Sequence, residues 1–310
     1  MENSALLKLE KMPGMQNVKK QIEQIIALHQ IRDLRISKGL PVKNQSLHLV
    51  FTGNPGTGKT TAARLIGEAF SSLGILKSRI PNDEKRPFVE IHHSDITSSL
   101  HGESEINIKR KFDAAKGGVL FIDEAYSFVE GDTPHRNGDR NIAVIVQQME
   151  DLRDEVMVVV AGYKKEMEDF LNMNPGLRSR FSNTVHFDDY SIRDLIAISS
   201  GMLDDLGYKA DKSFLEKLEI KLSFEILKEH FGNARSLRNI LEESIRNQST
   251  RVLKIDKPKK SDLMCLTASD LVLGVKEDVI PIKDFLSAER DRLNERLLAL
   301  DLAEASGLGK

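Results

Sequence analysis

The sequence predicts an α/β protein, an open sheet of parallel strands flanked by helices, followed by a smaller helical domain. Three observations carry that expectation. Short apolar runs alternate with helix-length stretches between residues 47 and 187, the pattern of repeated strand–helix–strand units. Two of the runs, Gly118–Ile122 and Val156–Ala161, are almost continuously apolar, as strands covered on both faces must be. After Asp189 the alternation stops and helical periodicity alone remains.

Composition bounds the rest. A chain of 310 residues suggests about two domains and is long enough to bury a sizeable core. Charged residues make up 30% and hydrophobic ones 40%, values of a soluble globular protein rather than a disordered one. A formal net charge of -2 excludes a generally basic nucleic-acid coat. With one cysteine, Cys265, neither a disulfide framework nor a cysteine-cluster metal site is expected, and Cys265 reads as a small buried hydrophobe. No apolar run has the length of a membrane span, and Met1-Glu2-Asn3-Ser4 opens without a charged and then apolar leader. The expected location is cytoplasmic, with no membrane insertion.

In chain order, residues 1–12 read as a polar lead-in, and Pro13-Gly14 as a turn. A helix follows from Asn17, with Val18, Ile22, Ile25, Ile26 and His29 on one face, and Gly39-Leu40-Pro41 ends it. Five strands are expected at Leu47–Thr52, Phe88–His92, Gly118–Ile122, Val156–Ala161 and Thr184–Phe187. Residues 13–189 form the α/β domain. Residues 190–275 form the helical domain, with repeats such as Leu195/Ile198/Met202 and Leu237/Ile240/Leu241/Ile245. Lys254 to Lys260 reads as a basic connector, Gly131–Arg140 as a polar loop, and 276–310 as an extension with a leucine-striped helix over 285–303.

The chemistry concentrates in two places. Gly53-Asn54-Pro55-Gly56-Thr57-Gly58-Lys59-Thr60 follows the first strand and opens a helix at Thr61, the context that a phosphate-binding Walker A loop requires. Gly53, Gly56 and Gly58 let the backbone wrap a phosphate without Cβ clashes. Successive amides and the helix N-terminus then face the anion. Lys59 reaches the β and γ phosphates, and the Thr60 hydroxyl ligates Mg²⁺. The whole stretch from Gly53 to Thr61 is therefore expected to touch the nucleotide. The third strand ends in Asp123-Glu124. Asp123 is expected to hold Mg²⁺, and Glu124 to orient and deprotonate a water for attack on the γ-phosphate. Acidic residues also cap helices that follow strands, but the loop about 60 residues earlier favours the catalytic reading.

Together these residues resemble an AAA+ ATPase. The wording of Thr52–Thr61, Gly117–Tyr126, Ala161-Gly162-Tyr163, Asn174–Phe181 (NPGLRSRF) and Asn233–Asn239 (NARSLRN) is similar to the group containing red-type Rubisco activases, sporulation stage V protein K and type VII secretion ATPase domains. The resemblance implies strand order 5-1-4-3-2, a helical lid, ATP bound between the two, and a homo-oligomer, usually a hexameric ring. It implies that Arg178 or Arg180 serves as an arginine finger for the neighbouring subunit, with Arg180 favoured. Either arginine alone is equally readable as pairing with an acid such as Asp188. Arg235 matches the lid arginine that contacts the γ-phosphate, and Tyr163 stands where a sensor residue usually sits. Leu100 occupies the place of the aromatic expected in a peptide-threading pore loop, and an aliphatic side chain there grips less.

Two function classes follow. One is an ATP hydrolase, a motor remodelling a protein partner of unstated identity. The other is a nucleotide-switched oligomeric scaffold with slow hydrolysis and no threading, which Leu100 and the C-terminal helix favour. Lys109-Arg110-Lys111 and Lys257 to Lys260 lack interleaved aromatics, so they read as solvated faces and not as a nucleic-acid surface. His92-His93 carry no accompanying metal-ligand set.

Overall fold

The computed structural model describes residues 4–42, 46–77, 87–92, 95, 103–128, 137–228 and 231–274. Five parallel strands form the main sheet: β1 (Leu49–Thr52), β2 (Phe88–Ile91), β3 (Gly118–Ile122), β4 (Val156–Gly162) and β5 (Asn183–His186). Their spatial order is β2-β3-β4-β1-β5, the order that the resemblance implied. Every residue of β1, β3 and β4 is buried, whereas the edge strands β2 and β5 are partly exposed. That division explains why the inner strands read as unbroken apolar runs.

Helices cover both faces. Those of the first domain are α1 (Ser4–Lys11), α2 (Gln16–Ser37), α3 (Lys59–Ser72), α4 (Glu103–Ala114), α5 (Asn137–Asp151), α6 (Lys164–Asn172) and α7 (Pro175–Arg180). Leu49 and Phe51 of β1 pack with Ile22, Ile66 and Phe70 of α2 and α3. Val50 points the other way, into a second cluster with Ile108, Phe112, Ile145 and Phe170. Alternate residues of one strand thus serve two cores. The apolar face expected for α2 is the one buried: Val18, Ile22, Ile25, Ile26 and His29.

Several local expectations change. The segment read as a polar lead-in contains α1, which buries Ala5 and Leu9. Its carbonyls at Glu10 and Met12 accept bonds of 2.6 and 2.8 Å from the ammonium of the buried Lys19, nine and seven residues away, which local periodicity does not show. The first strand starts at Leu49 instead of Leu47. His48 lies before it and takes the Val158 amide on its Nδ1 at 3.1 Å. Residues 137–140, expected in a polar loop, open α5.

The second domain contains α8 (Ile192–Asp205), α9 (Lys212–Glu225), α10 (Ala234–Val252) and α11 (Lys260–Met264). Ser191 caps α8 in a reciprocal box with Asp194, and Asp211 caps α9 through the Phe214 amide at 2.7 Å. This domain is not purely helical. Two-residue strands β6 (Lys209–Ala210) and β7 (Cys265–Leu266) pair in parallel, too short to leave an alternating pattern. Cys265 is half-buried there rather than buried. Leu100, His93, residues 131–136 and the extension 276–310 lie outside the described residues.

Candidate active site

In a parallel sheet the loops at the carboxyl ends of the strands share one edge, and ligands bind there. The loop after β1, the Asp123-Glu124 turn after β3 and Tyr163 after β4 all lie at that edge. They line one cavity of about 730 Å³, a size that suits a nucleotide.

The glycine-rich loop is shaped by the close approach of Phe187 to Gly53, of Gly232 to Gly56 and of Met15 to Gly58. Gly53 has φ +146°, and a Cβ there would lie 2.4 Å from the Phe187 carbonyl oxygen. Gly58 has φ +88°, with the Met15 methyl 2.3 Å from the place of its Cβ. It precedes α3 without a side-chain cap, so the first amides of that helix are left for another acceptor. The Lys59 Nζ donates to the carbonyls of Gly53 and Asn54, each at 2.8 Å. Burial pushes the Lys59 pKa down, and the Arg235 guanidinium adds to that. Asp123, Asp189 and Glu124 oppose it.

The two acids stand on a sharp turn. Glu124 adopts φ +48°, uncommon for a residue with a Cβ, and its amide donates to Asp123 Oδ1 at 3.1 Å. On this turn both successive residues line the cavity.

Of the residues singled out from sequence, Gly53, Pro55, Gly56, Gly58, Lys59, Thr60, Thr61, Asp123, Glu124, Tyr163 and Arg235 line the cavity. Asn54 and Thr57 belong to the loop but point elsewhere. The Asn54 amide donates to both oxygens of Asp189 at 3.0 Å, and the Thr57 hydroxyl donates to the Asn54 carbonyl at 2.8 Å. Arg178 and Arg180 do not line the cavity. Arg178 bonds Asn172. Arg180 pairs with Glu150 at 3.2 Å, while Asp188, the acid considered for either arginine, lies beside His186 at 3.6 Å.

Sequence reasoning missed part of the wall. Met12 and Pro13 contribute from the N-terminal segment. Ile198, Gly201 and Met202 contribute from α8, and Arg238 stands one turn beyond Arg235 on α10. The spacing of Arg235 and Arg238 places both on one helix face, a signal that was available. Tyr190 also lines the cavity. Its hydroxyl donates to the Thr57 carbonyl at 3.1 Å, and burial, with Asp194 nearby, pushes its pKa up to about 12.

Comparison with known proteins agrees with this geometry. The model of the ATPase family associated with various cellular activities (AAA) matches residues 49–189, and an AAA lid domain model matches 191–279. Stage V sporulation protein K of Bacillus subtilis (strain 168) is 37% identical over 270 residues, covering 86% of this chain and 80% of that protein. The chloroplastic ribulose bisphosphate carboxylase/oxygenase activase of Cyanidioschyzon merolae is 36% identical, covering 84% and 87%. The FIGL-1 AAA domain, crystallised with ADP, superposes with a TM-score of 0.57 at 21% identity, covering 91% of this chain and 89% of that one. With a phosphate loop and paired acids in one cavity under a helical lid, and with these relatives, the chain belongs to the AAA family of ATPases.

Proposed function

We propose that this ATPase binds Mg-ATP in the cavity described, hydrolyses it within a ring of identical subunits, and uses the cycle to remodel a protein partner in the cytoplasm. One observation carries the reading: an ammonium seated on two carbonyls of a glycine-rich loop shares a cavity with two acids. The amides of Gly56, Gly58 and Lys59 suit phosphate oxygens, and Lys59 suits the outer phosphates. Thr60 and Asp123 offer the hard oxygen donors that Mg²⁺ prefers. When bound, Mg²⁺ neutralises phosphate charge as the leaving oxygen develops it. Glu124 accepts the proton of the attacking water. Arg235, and Arg238 beside it, meet the phosphates from the lid.

Arg178 and Arg180 line no part of their own subunit's cavity, which supports an arginine acting on a neighbour's nucleotide. The relative named as an activase of ribulose bisphosphate carboxylase/oxygenase supports a protein client over a nucleic acid. Among the described residues no helix is long and apolar enough to cross a membrane.

The test pairs two substitutions. Glu124→Gln retains ATP binding and abolishes turnover, whereas Lys59→Ala loses both, measured by calorimetry and phosphate release. Normal hydrolysis by Glu124→Gln removes Glu124 from the base role. Light scattering with a slowly hydrolysed ATP analogue tests the ring, and a chain that stays monomeric refutes it.

A further inference from the structure

The phosphate loop and the lid are joined by a knot of hydrogen bonds centred on the buried side chain of Asn233. Asn233 is 0% exposed and immediately precedes α10, the helix that carries Arg235 and Arg238. Its Oδ1 accepts the Tyr190 amide at 2.9 Å. Its Nδ2 donates to Asp189 Oδ1 at 2.8 Å and to the Pro55 carbonyl at 3.3 Å. Asp189 in turn accepts both bonds from Asn54. The next amide, Ala234, donates to the Gly56 carbonyl at 3.2 Å. The lid therefore holds Pro55 and Gly56 directly, and Asn54 through Asp189.

The backbone of Asn233 is held at φ 50°, ψ -125°, a strained region that residues with a Cβ rarely enter. Such a conformation persists only where the surroundings over-determine it. Here four bonds converge on two adjacent residues, and all four reach across to the loop or the Asp189–Tyr190 segment.

We propose that Asn233 is a positioning residue, a latch that fixes the start of α10 on the phosphate loop and thereby places Arg235 and Arg238 over the bound phosphates. The donor character of its amide is essential, because it faces one carboxylate and one carbonyl. Asn233→Asp keeps the size and the bond from the Tyr190 amide but sets like charge against Asp189. Adding Asp189→Asn restores a donor and acceptor between the two positions and keeps an acceptor for Asn54.

The decisive measurement is hydrogen exchange on the free, full-length protein. In Asn233→Asp, exchange in the segments containing Tyr190 and Ala234 rises about tenfold or more, the scale of one unsatisfied buried group. Exchange within α9 is unchanged, and the double variant returns part of the way to wild type, since the Pro55 carbonyl still lacks its donor. A second arm measures Mg-ADP affinity, which weakens in Asn233→Asp and recovers in the double variant. That arm rests on the proposed nucleotide reading; the exchange arm does not, so a wild type that binds no nucleotide refutes that reading without touching the latch. Unchanged exchange in Asn233→Asp, a double variant no better than the single one, or uniform loss of protection throughout the lid each overturns the proposal.

Discussion

His48 makes this protein selectively sensitive to mild acid. The imidazole is 2% exposed, with Nδ1 accepting the Val158 amide at 3.1 Å and Nε2 3.3 Å from the Met149 carbonyl. Those partners call for the neutral ring, protonated on Nε2. Burial pushes the pKa from 6.5 down to about 4; the Arg180 guanidinium adds to this, while the Met149 carbonyl and Glu150 pull the other way. The unfolded chain takes up a proton on His48 below pH 6.5, but the native state does not until about pH 4. The stabilisation is therefore complete above pH 6.5, falls as pH drops through the window from 6.5 to 4, and is gone below it. At pH 5 the unfolded state is favoured about thirtyfold by this one group, or about 2 kcal/mol. The comparison protein is His48→Asn, whose Oδ1 can still accept the Val158 amide and which does not titrate. Urea unfolding of both proteins at pH 7.5 and pH 5 separates His48 from the carboxylates, which titrate in both. Wild type should lose about 2 kcal/mol more than His48→Asn over that interval. Parallel losses in the two proteins would refute a buried neutral His48.

Two further outcomes test how the site is assembled. Gly56→Ala should lower nucleotide affinity about tenfold or more: the new methyl would stand 2.1 Å from the Gly232 carbonyl oxygen at φ +73°, and only a shift of the lid relieves that overlap. A calorimetric titration that matches wild type would show that the lid contact carries no binding function. If an arginine acts across subunits, mixing inactive Glu124→Gln with inactive Arg180→Ala should restore ATPase activity, because some interfaces then combine an intact Glu124 with an intact Arg180. Mixed oligomers without activity would transfer the role to Arg178 or abolish it.

What was legible in the sequence had a local cause. The inner strands are legible because both faces are buried, and the glycine-rich loop because its glycines recur at fixed spacing between a strand and a helix. The Asp123-Glu124 pair was readable because it sits at the end of an apolar strand. What was missed depends on contacts distant in the chain. Leu9 of α1 is buried because it packs against the helix that follows the phosphate loop, and Lys19 is buried because it terminates α1. The short β6–β7 pairing joins residues more than fifty positions apart. In the sequence Asn233 stands only as the first residue of NARSLRN, since nothing in its neighbours reveals that its partners are Pro55, Asp189 and Tyr190.

The role of Gly56 also looks different in three dimensions. From the sequence alone, Gly56 is expected to let the backbone wrap a phosphate. In the structure its missing side chain makes room for the lid, since Gly232 and the Arg235 amide occupy the space that a Cβ would need. The same short loop thus lines the cavity and offers two carbonyls to the lid. Pro55 and Gly56 accept from Asn233 and Ala234, while Gly53 and Asn54 accept from Lys59. A polyanion that draws the Lys59 ammonium away from those two carbonyls changes the bonding of residues directly adjacent to the ones the lid holds. Coupling between phosphate occupancy and lid position then needs no long relay. It requires only that four consecutive carbonyls of one loop share two sets of donors, one of which the ligand can recruit.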